Sequence, residues 1–191
     1  LINRTLGEHY GVSVAEEVID SGAWTYDMLY SLAEGITTDA NGDGTMDAND
    51  IYGLGHCDLR SAPATAWIAS GFRTLDKGTD GKLAVNVYGN ERFVDILTMV
   101  QDKLFYGDAC YKVEDSASTW STMDIFKDGR QWAMIGVFNA IVEMRDMEDD
   151  FTVVPVPKFE ESAAEYRSRT YDSYFTLIPT TVQDTEMVGA V

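Results

Sequence analysis

Histidine is almost missing from this 191-residue chain: His9 and His56 are the only two. Neither stands in a metal-ligand spacing or beside a nucleophile motif, so a histidine zinc site or a Ser-His hydrolase has little to be built from. His9 reads as a surface residue and His56 as a polar residue following a strand. Cysteine is as sparse. Cys57 and Cys110 match no zinc or redox spacing, and one pair does not define a disulfide framework. Two buried thiols, a bridge between them and a reactive role are the three readings. Basic residues number 14 against 32 acidic ones, for a formal net charge of -18. Such a surface repels nucleic acid and anionic membrane, so no nucleic-acid partner is expected. No run of eighteen apolar residues is present, which excludes a membrane-spanning helix. Serine elbow, phosphate-cradling glycine loop and dinucleotide fingerprint are all absent. Carboxylates abound, but no spacing singles out a glycosidase-type acid and base. Glu148, Asp149 and Asp150 read as a solvated acidic turn.

Hydrophobic residues make up 45% of the chain, enough to fold around a core. The expectation is one α/β unit over residues 1–191. Leu1–Leu6 reads like the middle of a protein, and the helical pattern at Glu186–Val191 stops abruptly. Both ends therefore read as interior.

The most specific local signal is Asp39-Ala-Asn-Gly-Asp-Gly-Thr-Met-Asp-Ala-Asn-Asp50. It fits the twelve-residue EF-hand calcium loop. Asp39, Asn41, Asp43, Thr45, Asp47 and Asp50 fall on loop positions one, three, five, seven, nine and twelve, and Gly44 on the turn position six. All six offer oxygen, the donor a hard cation prefers. Structural Ca2+ is the expectation; the alternative is an acidic turn with no metal. Asp in place of Glu at the last position shortens the final ligand, which fits weak binding in calcium-rich surroundings outside a cell.

Hydrophobic spacing outlines the remaining elements. Ser13 with Glu16 has capping-box spacing before a helix that ends near Gly22, with Val14, Val18 and Ile19 inward. Thr25 is the next cap, with Trp24 and Leu29 as its staple and Met28, Leu29, Leu32 and Ala33 on one face. Ile51–Leu54 reads as a strand, so the acidic loop is entered from a helix and left by a strand. That setting, with no second loop, argues against a calcium sensor. Residues 62–70 read as a helix with Pro63 in its first turn. Leu83, Val85 and Val87 alternate as an edge strand or hairpin arm. Asn90 caps a long helix carrying Phe93, Ile96, Leu97, Val100 and Leu104. After a loop over 107–121, Ser121 or Thr122 caps a helix stopped at Gly129. Trp132–Phe138 reads as a buried strand and 139–147 as helix. Phe151–Val156 is a strand confined to an edge by Pro155, Tyr174–Ile178 another strand, and Thr181–Val191 a helix. The alternation predicts a sheet covered by helices.

Four Trp and ten Tyr supply flat, amphipathic surfaces of the kind that stack on sugar rings. Trp67, Trp120, Tyr171 and Tyr174 fall in loops or near element ends, where they contact either a ligand or the core. Arg169 and Asp172 flank Tyr171 and offer directional hydrogen bonds or surface ion pairs. Trp24 and Trp132 are explained by packing.

Three segments together resemble a known family. Gly22–Gly35 runs into the acidic loop and Tyr52-Gly-Leu54. Phe126-Lys-Asp-Gly-Arg130 precedes the apolar strand 132–138, and Met144–Pro157 ends in Pro-Val-Pro. Their order is similar to that of bacterial extracellular solute-binding proteins, family 1, the sugar-binding lipoproteins of ABC importers. The resemblance covers nearly the whole chain. It implies a periplasmic-binding-protein-like type II lobe, most of the second of two lobes that trap solute between them. The first lobe, signal peptide and lipid-attachment cysteine would lie upstream. It further implies a non-catalytic receptor outside the cell, anchored to the outer face of the membrane. Such a receptor hands a carbohydrate or oligosaccharide to importer membrane subunits. The aromatic candidates are its ligand contacts and the calcium loop a structural site. A carbohydrate-active enzyme module and a calcium-dependent interaction module are the alternatives.

Overall fold

A computed structural model describes residues 1–56, 61–111, 121–170, 177–184 and 186–187. The chain is a mixed α/β fold with an open sheet partly covered by helices. The first elements are β1 (Ile2–Asn3), α1 (Arg4–His9), α2 (Glu16–Asp20), α3 (Tyr26–Glu34), β2 (Tyr52–His56) and α4 (Ser61–Ala69). They are followed by β3 (Leu75–Lys77), β4 (Leu83–Val85), α5 (Glu91–Met99) and a π-helical turn (Val100–Phe105). The last are α6 (Ser121–Lys127), β5 (Gln131–Ile135), α7 (Ala140–Glu143) and β6 (Phe151–Thr152). Four strands form one sheet in the order β2-β5-β1-β6; β3 and β4 form a separate antiparallel hairpin. β2 and β5 run parallel, with Leu54 opposite Ala133 and His56 opposite Ile135. β1 is antiparallel to both its neighbours.

Side-chain caps start several helices. Thr25 Oγ1 accepts from Met28 N at 3.3 Å and Asn90 Oδ1 from Phe93 N at 3.2 Å, as the spacing predicts. Asn3 is fully buried; its Oδ1 caps α1 at Leu6 N (2.8 Å) while its Nδ2 donates to Asp149 Oδ2 (2.7 Å). Ser13 does not cap α2. The helix begins at Glu16, and Ala15 before it is extended and makes no side-chain cap bond. Val12 is tied back by its amide to Gly7 O (2.8 Å) and Val14 packs on the core, which carries the chain past the capping position.

The apolar run at 132 is a central strand. Residues 131–134 are buried between β2 and β1, which explains a continuous rather than alternating pattern. It ends at Ile135, three residues before the apolar run does. β6 holds only two residues, at the sheet edge: Pro155 has no amide to donate, and its carbonyl accepts from Trp24 Nε1 at 3.0 Å. Helix α5 turns π-helical after Met99. Its buried stripe is Ile96, Val100 and Leu104, whereas Leu97, expected inside, is 43% exposed. Helix 139–147 shortens to α7, continued by single turns at Met144 and Met147. Residues 177 and 178 lie outside any strand.

The larger core gathers Trp24, Tyr26, Leu29 and Ala33 with Leu54, Leu104 and Trp132; a smaller one joins Phe126, Met123, Met134 and Met144. Gly53 lets α3 lie directly on β2, because a side chain there would enter the Ala33 backbone.

Candidate functional site

The acidic loop does not hold a metal centre, which corrects the calcium expectation and with it the EF-hand comparison. Among the described residues no group of three or more His, Cys, Asp or Glu side chains is placed to hold a metal ion. The oxygens that the spacing assigns to calcium are turned onto the loop's own backbone. Asp39 accepts from Gly42 N (2.7 Å) and Gly44 N (2.8 Å). Asn41 accepts from Asp43 N (2.8 Å), Asp43 from Thr45 N (2.8 Å), and Asp47 from Asn49 N (2.7 Å). These are successive side-chain-to-backbone turns, the role Asp and Asn take in tight loops. Gly42 and Gly44 supply the positive φ angles, 73° and 82°. Asp50 is buried and locks both ends, accepting from Asp47 N (2.7 Å) and Ala40 N (2.9 Å). The Asp47 amide above all, against the opposing effect of burial and helped by Ala40 and Asn41, holds its carboxyl below the usual value. Thr38 and Ile51 bridge beneath the loop at 2.9 and 3.1 Å. The segment is a self-bonded acidic turn between α3 and β2.

The carboxyl ends of the parallel strands form a different region. Open α/β sheets bind solutes beyond the carboxyl ends of their parallel strands, and here those are the ends of β2 and β5. Directly after β5, which ends at Ile135, the chain leaves the sheet. Val137 and Phe138 follow in a turn closed by Ala140 N on Val137 O (2.9 Å), and the Phe138 ring is 81% exposed. Asn139 opens α7 without using its side chain as a cap. On the far side of β2, Leu54 bridges to Cys110, with Tyr111 N on Leu54 O at 2.9 Å. Tyr111 packs edge-on against Tyr52, ring centroids 5.0 Å apart. Burial, then the charge of Asp50, pushes the Tyr52 hydroxyl up to about 12. The apolar run Trp132–Phe138 predicts a strand through Phe138, whereas β5 ends at Ile135.

Trp67 belongs to an aromatic cluster with Phe72 and Phe93, centroids 5.2 to 6.3 Å apart, and its indole N–H is taken by Phe72 O at 3.2 Å. The ring is half-buried and lines a groove of about 380 Å³ with Ile68, Phe72 and Leu75. Arg169 is half-buried in a stretch without regular structure. Trp120, Tyr171, Asp172 and Tyr174 lie outside the described residues, as does Cys57. Cys110 is buried, its Sγ 3.8 Å from Tyr111 O. Trp24 and Trp132 are fully buried in the core. No described helix is long and apolar enough to cross a membrane. No family model matches this chain, and no curated protein matches it.

Proposed function

We propose that this chain is the ligand-binding lobe of a non-catalytic solute receptor that delivers a carbohydrate or oligosaccharide to an ABC importer. The lobe is of the type II periplasmic-binding kind, works outside the cell in a membrane-anchored parent, and closes on ligand against a first lobe. The observation that carries the reading is Phe138. A large aromatic ring stands 81% exposed immediately beyond the carboxyl end of β5, beside its parallel partner β2. An exposed aromatic there costs apolar hydration unless something stacks on it, and a sugar's C–H face suits that role. The order of the three sequence segments supports the same reading.

Calorimetric titration of the lobe-complete protein against a panel of oligosaccharides tests it. At least one saccharide should bind, and Phe138→Ala should weaken it tenfold or more. Silence across sugars with binding of peptides or polyamines would reject the carbohydrate assignment. Hydrolysis of a bound sugar, abolished by a single carboxylate substitution, would reject the non-catalytic one.

A further inference from the structure

A second groove adjoins the one beneath Trp67. It measures about 420 Å³ and is lined by Ser70, Gly71, Asp76, Asn86, Asn90 and Arg92. Phe72 and Arg73 line both. Both are shallow depressions open to solvent. The floor comes from three elements: the end of α4, the β3–β4 hairpin and the start of α5.

The chemistry of this double groove is mixed in a particular way. Phe93 stacks on Phe72 at 5.6 Å and 28°, fixing the ring that separates the grooves. Asn86 Nδ2 donates to Asp76 Oδ2 (2.6 Å) and Arg73 O (3.3 Å), so its amide oxygen has no described partner. Asn90 Oδ1 caps α5, so its amide N–H groups are unused among the described residues. Two neighbouring guanidinium groups are matched. Arg92 grips Glu160 with two bonds, at 2.6 and 3.2 Å, and lies 4.4 Å from the Phe159 ring centroid. Arg167, whose guanidinium lies beside Gly71, pairs with Glu165 at 3.1 Å. Arg73 differs: its guanidinium makes no ion pair or hydrogen bond with any described residue, in a chain carrying 32 carboxylates.

We propose that this double groove is a saccharide site separate from the sheet-end site, and that it takes a sugar bearing a carboxylate, a uronic acid. The carboxylate pairs with the planar fork of Arg73, a match that a hydroxyl cannot make. The sugar ring lies along Phe72. Its hydroxyls donate to Asp76 and to the amide oxygen of Asn86, and accept from the amide of Asn90. A neutral sugar would leave the guanidinium unused. The charge of Asp76 opposes the ligand; the Asn86 amide holds one oxygen of that carboxylate at 2.6 Å without cancelling its charge, so the Arg73 pair has to outweigh it.

The proposal does not depend on the receptor reading, and titration of the chain with digalacturonate and with its neutral counterpart digalactose separates them. Digalacturonate should bind at least tenfold more tightly, with affinity falling as salt is added. Arg73→Gln should remove that preference, and Arg73→Lys, which keeps charge but loses the fork, should restore only part of it. Phe138→Ala should leave digalacturonate binding unchanged. Equal binding of the two sugars, absence of digalacturonate binding, or an Arg73→Gln variant that keeps the preference would each overturn the proposal. Loss of acid binding in Phe138→Ala alone would overturn it too, by moving recognition to the sheet end. Arg73 is exposed, so its variants should melt as the parent does; a lowered melting temperature in Arg73→Gln but not Arg73→Lys would mark a structural role and count against it.

Discussion

Asp50 spends both carboxylate oxygens on amides of its own loop, and that arrangement makes two predictions. The loop is complete without a cation, so neither a chelator nor added Ca2+ should move the melting temperature; a calcium-dependent rise would refute the self-bonded loop. The Asp50 carboxyl is held below its usual value, so its contribution to stability is full above the unfolded value near 3.9. That contribution is lost as pH falls through the lower, folded value. Urea midpoints between pH 7 and pH 3 should fall less steeply in Asp50→Asn than in the parent. Tyr26 presents the opposite case. Its ring is buried, its hydroxyl has no described partner, and burial raises its pKa. A buried unpaired hydroxyl costs about 1–3 kcal/mol. Tyr26→Phe should therefore stabilise the protein by up to about 1 kcal/mol in denaturant unfolding, whereas a loss would reveal a partner such as an ordered water.

Among the elements, the closest approach is that of α3 to β2 at Gly53. Gly53→Ala places a methyl group against the Ala33 backbone, which cannot swing aside as a side chain can. The expected cost is about 1–3 kcal/mol, read as a fall in the urea midpoint with the slope unchanged. Elements were legible where local chemistry decides them. Thr25, Asn90 and Gly129 mark helix ends because capping and left-handed turns depend on neighbours in sequence. The length of β5 and β6 was less legible, because it depends on which strands lie alongside, and only Pro155 hints at that. The acidic loop shows the limit most plainly. Its residue types are those of a cation loop, but the same oxygens serve equally well as acceptors for backbone amides, and spacing does not separate the two uses. Arg73, Asp76 and Asn86 come together only because β3 and β4 pair, so no motif announces them.

At the scale of the whole molecule, the alternation of helices and strands announced an α/β fold, while the strand order β2-β5-β1-β6 was not legible. The charge of -18 acts on the molecule as a unit. Self-repulsion disfavours the compact state and is screened by electrolyte. Raising monovalent salt from about 0.01 to about 0.15 M, where the screening length falls from roughly 30 to 8 Å, should raise the melting temperature. About 2–4 °C is expected for each kcal/mol of repulsion relieved. A flat or falling response would mean that specific ion pairs, such as Arg92–Glu160, outweigh the net charge.

β1 has a consequence in time. Its two residues, Ile2 and Asn3, fill the gap between β5 and β6, which do not touch each other in the sheet. Both partners are made late, at residues 133 and 151–152. β1 therefore meets these two partners only after residues 133 and 151–152 have been synthesised. Contacts so distant in sequence are slow to form, and a waiting strand edge is open to the wrong neighbour. β1 is thus among the last elements of the sheet to find its place.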